Sequence, residues 1–272
     1  PILRGNESWK CPGHGTVVHD SRGRDFLLYH AYKRDDFVYV GRQAMLDEVN
    51  WGAGAWPTIN NGQGPSAEAA SPFGARDRRA EYTFFDNFRS AKLEPGWQWP
   101  QSNEPQIRIE RRGGRSELVL MSSNESQSKT QALSAIVARS TTTGNYVATT
   151  QIDTSAMQAG ALAGLSAYGD GENALGASVS NGNLMLWRLE KGNNQVVAQV
   201  NASSGSSLFL RMTVRDGHLY RFAFSRNGRD WTNIGDELDG SYLPPWDRGV
   251  RIALAAGGTN SGAGRFDFLR IE

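Results

Sequence analysis

Between residues 207 and 225 apolar and polar side chains alternate one for one. Leu208, Leu210, Met212 and Val214 fall on one side of the run, and Phe209, Arg211, Thr213 and Arg215 on the other. A strand with one buried face reads this way. Asp216-Gly217 follows, a pair suited to a two-residue hairpin turn, and then Tyr220, Phe222 and Phe224 alternate with Arg221 and Ala223. Asn181-Gly182 marks a second hairpin ahead of Leu184-Met185-Leu186-Trp187. Further strands are predicted over Leu133–Arg139, Tyr146–Ile152, Leu162–Tyr168, Val250–Ala255 and Phe266–Ile271. No window sustains a helical period, and no repeat of solenoid or propeller length is visible. Short strands with regular turn signals predict an all-β sandwich or jelly roll for this part of the chain.

The front of the chain is also strand-like. Thr16-Val17-Val18 predicts one short strand, Ser21-Arg22-Gly23-Arg24 a turn, and Phe26–Tyr32 a second strand. Phe37-Val38-Tyr39-Val40 and Gln43-Ala44-Met45-Leu46 predict a third and a fourth. Four antiparallel strands make a single sheet with two faces to cover, and such a sheet alone buries too little apolar surface to be stable. It calls for neighbours on both sides, as a propeller blade does. Between the two parts, NNGQGPSAEAASPFGARDRRAE is rich in small and turn-forming residues and has no apolar period, which is a linker pattern. The expected organisation is residues 1–60 as one blade, 61–81 as a linker and 82–272 as the sandwich.

Composition narrows the function classes. The 29 basic and 28 acidic residues leave a net charge of +1, so no bulk field favours nucleic acid or an anionic membrane as partner. No apolar run approaches the ~20 residues of a membrane-spanning helix. Cys11 is the single cysteine, which excludes an internal disulfide and leaves the redox compartment open. The chain starts at Pro1, and a processed or trimmed chain is expected.

Pro12-Gly13-His14-Gly15 is the most informative short motif. Its glycines let the backbone turn sharply and leave the imidazole uncrowded, and a neutral imidazole can ligate a metal or hold a water. The motif continues through Thr16-Val17-Val18 into Asp20–Tyr32, then Gly41-Arg42-Gln43, Trp51, Trp56-Pro57 and Asn61-Gly62. That order resembles the closing segment of family 43 glycoside hydrolases, the β-xylosidases, α-L-arabinofuranosidases and arabinanases, over nearly all of residues 5 to 66. Phe84-Phe85-Asp86-Asn87-Phe88, Leu93–Trp99, Ser225–Trp231 and Phe266-Asp267-Phe268 resemble the concanavalin-like sandwich that many of these enzymes carry after a five-bladed β-propeller.

The resemblance implies roles at a few positions. His14 falls on the propeller-axis histidine beneath the sugar site, where it contacts calcium or a water cluster. Arg42 falls on an arginine that points into the sugar pocket, where a guanidinium hydrogen-bonds hydroxyls and biases a nearby carboxylate toward ionisation. Asp86 and Asp267 match acids on the first and last sandwich strands, and carboxylate oxygens there suit a structural calcium. The family's inverting reaction needs two carboxyl groups far enough apart to admit a water. Those acids belong to earlier blades. Asp20, Asp25, Asp35, Asp36, Asp47 and Glu48 match no catalytic motif, and most sit at turns, where Asp is common.

The expectation is therefore an inverting glycosidase portion acting on pentose-containing plant cell-wall oligosaccharides, completed by a complementary propeller chain or segment. The alternative is a carbohydrate-binding sandwich without catalysis. Trp97, Trp99, Trp187 and Trp231 can stack on sugars or fill the sandwich core. His19, His30 and His218 have no matched partners and read as structural or surface residues.

Overall fold

The computed structural model describes residues 2–72, 83–123, 130–202, 205–243, 249–259 and 262–272. The front sheet is a four-stranded antiparallel meander of β1 (Trp9–His19), β2 (Asp25–Lys33), β3 (Gln43–Asn50) and β4 (Thr58–Ile59). Alternation along β2 sends Leu27, Tyr29 and Ala31 to one face, where they pack with Met45, Val49, Ile59 and the flanking Leu3 and Trp9. Asp47 lies within this core. Its carboxylate accepts from Tyr29 Oη (2.5 Å) and the Ser66 amide (3.4 Å). Burial, reinforced by that carboxylate, pushes the Tyr29 phenol well above its usual range.

The chain after β4 runs back along the sheet. Asn6 Nδ2 donates to the carbonyls of Gln63 (3.0 Å) and Pro65 (2.7 Å), Trp9 Nε1 to Ser66 (3.0 Å) and Arg24 Nη2 to Pro72 (3.2 Å). The remainder of the expected linker and Tyr82, the expected first sandwich residue, lie outside the described residues.

The back part is a two-sheet antiparallel sandwich. Its strands in chain order are β5 (Phe84–Asp86), β6 (Gln106–Arg112), β7 (Arg115–Met121), β8 (Ala135–Ser140), β9 (Tyr146–Asp153), β10 (Ala161–Tyr168), β11 (Ala174–Ser180), β12 (Asn183–Glu190) and β13 (Asn193–Asn201), then β14 (Ser207–Arg215), β15 (Leu219–Ser225), β16 (Thr232–Asn233), β17 (Leu238–Asp239), β18 (Arg251–Gly258) and β19 (Gly264–Ile271). Among the described residues one sheet runs β13-β12-β11-β10-β18-β8. The other runs β16-β15-β14-β9-β19-β7-β6, with β17 beside β15 and β5 beside β19. Leu165, Leu175, Leu186 and Leu254 of the first sheet pack against Leu118, Leu210, Met212, Phe222 and Phe266 of the second. β10 is buried along its whole length. Its outer face lies in a second apolar cluster with Ile136, Tyr168 and Trp187.

One strand expected from the sequence is something else. Phe37–Val40 forms a single 3-10 turn, Val38–Val40, in the β2–β3 connection, and the blade's fourth strand is Thr58–Ile59. Phe37, Tyr39 and Val40 dock on the sandwich, whereas Val38 stays exposed. The Val250 amide donates to the Tyr39 carbonyl (2.8 Å) and Tyr39 Oη to the Ser241 carbonyl (3.2 Å). The Phe37 ring lies over Gly144, where an added Cβ would sit 2.0 Å from the ring. Gly217, at φ +69°, would bring a Cβ to 2.9 Å of Phe37. Glycine at both positions makes the socket.

Candidate functional site

β1 is bulged between Lys10 and Gly13 and again between Gly13 and Thr16, and Cys11 and His14 take left-handed backbone angles, φ +50° and +53°. The glycines of the Pro12–Gly15 motif flank this irregularity, which lifts His14 out of the regular ladder and leaves it exposed. Gly13 pairs with His30 on β2. The His14 and His30 rings lie 6.4 Å apart, and His30 meets the Tyr32 ring edge-on, also at 6.4 Å. Arg42 Nε donates to Tyr32 Oη at 3.2 Å.

His14, His30, Tyr32 and Arg42 therefore form a row across β1, β2 and the start of β3. His30 and Tyr32 alternate with Tyr29 and Ala31, so the row occupies the face opposite the blade core. His30 and Tyr32 stand between His14 and Arg42, the two residues that the sequence singled out. His30 read as structural because nothing in a period-2 strand says which residue stands across from it. That follows from the β1–β2 register, which two bulges set.

Three further acids of the blade, Asp20, Asp25 and Asp36, are engaged structurally. Asp20 accepts from the Arg22 and Arg24 amides (2.8 and 2.9 Å), forming a turn. Asp25 contacts His19 Nδ1 (2.5 Å) and accepts from Trp51 Nε1 (2.6 Å). The hydrogen bond with His19 is the largest cause holding this carboxyl below its usual range. Asp36 accepts from the Phe37 amide at 2.7 Å, leading into the docking turn.

β5 and β19 lie side by side, with Asp86 opposite Leu269. Asp86 is buried, and its two oxygens accept from the Phe88 amide (2.8 Å) and Trp97 Nε1 (2.9 Å). Asp267 belongs to the other face. It lines a shallow depression with Arg115, Gln151 and Phe209, and Arg115 stands 3.5 Å from it. Burial first, then the neighbouring Glu117, pushes the Asp267 carboxyl up. Two carboxylates on opposite faces of one sheet do not fit a shared calcium. Among the described residues no group of three His, Cys, Asp or Glu side chains is placed to hold a metal ion.

The tryptophans separate by environment. Trp97 and Trp187 are buried, the latter donating Nε1 to Ser178 Oγ (3.0 Å). The Arg211 guanidinium lies 3.7 Å from the Trp231 ring centroid. Trp99 alone of the four is exposed, at 40%. The Ser225–Trp231 stretch is a hydrogen-bonded turn in which Asn227 Oδ1 accepts from the Arg229 and Asp230 amides (both 2.9 Å).

A double-sheet sandwich with a propeller-type four-stranded blade ahead of it defines an all-β chain of two parts. Residues 85–272 match the family described as the β-xylosidase C-terminal concanavalin A-like domain, and residues 2–57 match glycosyl hydrolases family 43. The first match takes in more than half of the chain, and the chain belongs to that family, with a family 43 glycosyl hydrolase match ahead of it. Xylosidase/arabinosidase 43B of Humicola insolens is 27% identical over 253 residues, which are 85% of this chain and 45% of that protein. The GH43 protein BlXynB of Bacillus licheniformis superposes with a TM-score of 0.76 at 23% identity, over 100% of this chain and 56% of that one. The xyloglucan-locus GH43B of Bacteroides ovatus gives 0.74 at 16% identity, again over 100% and 56%. These two structures speak for the fold. The chain spans about half the length of the relatives it matches.

Proposed function

We infer that this chain is the closing portion of an inverting glycosidase for xylo- or arabino-oligosaccharides, in which the blade forms one side of the sugar pocket. The observation that carries this reading is the row His14–His30–Tyr32–Arg42 on the blade face opposite its core. The same side carries Leu28 at 41% exposure, and β1 is an eleven-residue edge strand. An apolar residue on an uncovered sheet face calls for another sheet against it, and in a propeller the next blade packs on that face.

In the assembled enzyme Arg42 donates to sugar hydroxyls and favours the ionised form of a neighbouring carboxylate. His14 lies beneath the sugar. A calcium there would take one nitrogen from His14, with waters filling the remaining positions. The general acid and base come from a complementary propeller segment or chain, far enough apart to seat the attacking water between base and anomeric carbon.

The test uses this chain alone and co-expressed with a propeller segment of about 300 residues, the size of a large domain. The chain alone is expected to leave nitrophenyl xyloside and arabinofuranoside intact. The assembly is expected to cleave at least one of them, with inverted anomeric configuration in the first product by NMR. Within the assembly, Arg42→Ala should lower kcat/KM by about 100-fold, or 2.7 kcal/mol of transition-state stabilisation. A chain that stays a folded monomer and captures no propeller segment would overturn this reading.

A further inference from the structure

A groove of about 650 Å3 lies on the sandwich, away from the His14–Arg42 row. Its floor is the outer face of the six-stranded sheet, with Ile136 of β8, Tyr168 of β10 and Arg251 of β18. One wall is the segment from Gln98 to Asn103. Gln98 exchanges both backbone hydrogen bonds with Ala138 of β8 (2.9 and 2.7 Å), and its Oε1 accepts from Arg251 Nε (2.9 Å). The Asn103 amide closes a turn onto the Pro100 carbonyl at 2.9 Å. The opposite wall is a turn in which Asp170 Oδ1 accepts from the Glu172 amide (2.8 Å) and Asn173 Nδ2 (3.0 Å). Both walls are tied by hydrogen bonds, so the groove is preformed, and its volume is that of a small-molecule site.

Three features specify the ligand class. Trp99 lines the groove and keeps 40% of its surface exposed, an aromatic plate for a flat apolar ring face. Asn103 is only 9% exposed; its Nδ2 donates to the Leu133 carbonyl (3.4 Å), while its Oδ1 has no partner among the described residues. The Leu133 carbonyl can only accept, so the unmatched end of the amide is the acceptor. A buried acceptor left unpaired is costly, and a ligand donor relieves that cost. Asp170 and Arg251 line the same groove and balance in charge, which favours a neutral ligand with both donors and acceptors. An aromatic plate with mixed polar groups and no net charge suits a sugar ring.

We propose that this groove is a second glycan site, which holds a neutral oligosaccharide by stacking one ring on Trp99 and donating a hydroxyl to Asn103 Oδ1. Arg251 directly follows Val250, whose amide bonds to the docked Tyr39 turn. A glycan in the groove therefore lies beside the seam between sandwich and blade, placed to feed or steady a longer chain. The choice of sugar rests on the glycosidase reading; the site itself does not.

The test is isothermal titration of the 272-residue chain with xylohexaose, arabinohexaose and cellohexaose. Binding to at least one is expected. Trp99→Ala should weaken it by about tenfold or more, a loss of 1.4 kcal/mol, while Trp99→Phe should restore most of it. Asn103→Leu should weaken it with the melting temperature monitored in parallel. Arg221→Ala, on the outer face of the other sheet, should leave it unchanged. No heat with any of the three would overturn the proposal, as would binding that survives Trp99→Ala. Cleavage by the propeller assembly without groove binding removes this site and leaves the glycosidase reading standing, and the reverse result separates them the other way.

Discussion

Leu165 of β10 and Leu254 of β18 are fully buried, facing Leu210 and Phe222 from the opposite sheet. Among the described residues no second sheet covers the blade. Its core holds Leu27, Tyr29, Ala31, Met45, Val49 and Ile59 on one side, and Val17 and Leu28 stay about 40% exposed. The sandwich closes on itself, whereas the blade borrows. One loan is visible in the Phe37–Val40 turn, which places apolar residues of the blade on the end of the sandwich. The difference separates a part whose two sheets cover each other from a part that leaves one face of its sheet uncovered.

The largest expected effect tests that self-sufficiency. Leu254→Ala removes a fully buried side chain between two sheets and should cost about 3 kcal/mol in denaturant unfolding. Leu28→Ala, on the open side of the blade, should cost under about 0.5 kcal/mol in this chain. The gap should close when a propeller segment covers that face, and equal costs in the isolated chain would contradict the comparison.

Next comes Asp86→Ala, at about 2 kcal/mol, because it strands two buried donors, the Phe88 amide and Trp97 Nε1. Asp86→Asn keeps one acceptor oxygen and should lose less. Chelation of calcium should leave the melting temperature of the isolated chain unchanged, since Asp86 and Asp267 stand on opposite faces of the sheet.

The seam is the third point of attack. Phe37→Ala should cost about 1–2 kcal/mol, as the ring is only partly buried. Gly144→Val should be worse, because a Cβ there would occupy the ring's own position. Limited proteolysis should then cut between blade and sandwich while the sandwich survives. Uniform resistance in both variants would mean that the docked turn does not hold the two parts together.

Most of the sandwich could be read from the chain because its strands obey a period of two with one buried face, as β14 and β15 do. The strands that escaped notice lack that contrast. β13 is exposed at most positions on both faces and is held by its ladder to β12, so its side chains carry little pattern. β6 has only Ile107 and Ile109 before a charged run. Phe37–Val40 misled for the opposite reason. Its apolar character is real, but a run of four apolar residues records burial without recording the partner. The site divides likewise. Glycines around His14 advertise an unusual backbone, while His30, Tyr32 and Asn103 gain their meaning only from what the register and the turns place beside them.

The smallest effect contrasts the two parts through their acids. Asp267 in the sandwich has its carboxyl pushed up, chiefly by burial. Asp25 in the blade is held low, chiefly by its hydrogen bond with His19. The signs follow from which state binds the proton more tightly. For Asp267 the folded chain binds it more tightly than the unfolded one. The stability this contributes is present below the unfolded carboxyl range and is lost as pH rises through the raised folded value. Asp25 does the reverse: its contribution is present above the unfolded range and is lost as pH falls through the depressed folded value. Asp267→Asn should therefore raise the melting temperature relative to the parent at pH 7 and lose that advantage toward pH 3. Asp25→Asn should lower it at pH 7, with the deficit shrinking toward acid. Because Asp25 belongs to the blade and its partner His19 is exposed, its effect should also shrink in high salt. The half-buried Asp267 should respond less. If both variants moved the same way with pH, the two carboxylates would share one electrostatic environment, and the distinction between a closed sandwich and an open blade would not extend to their charges.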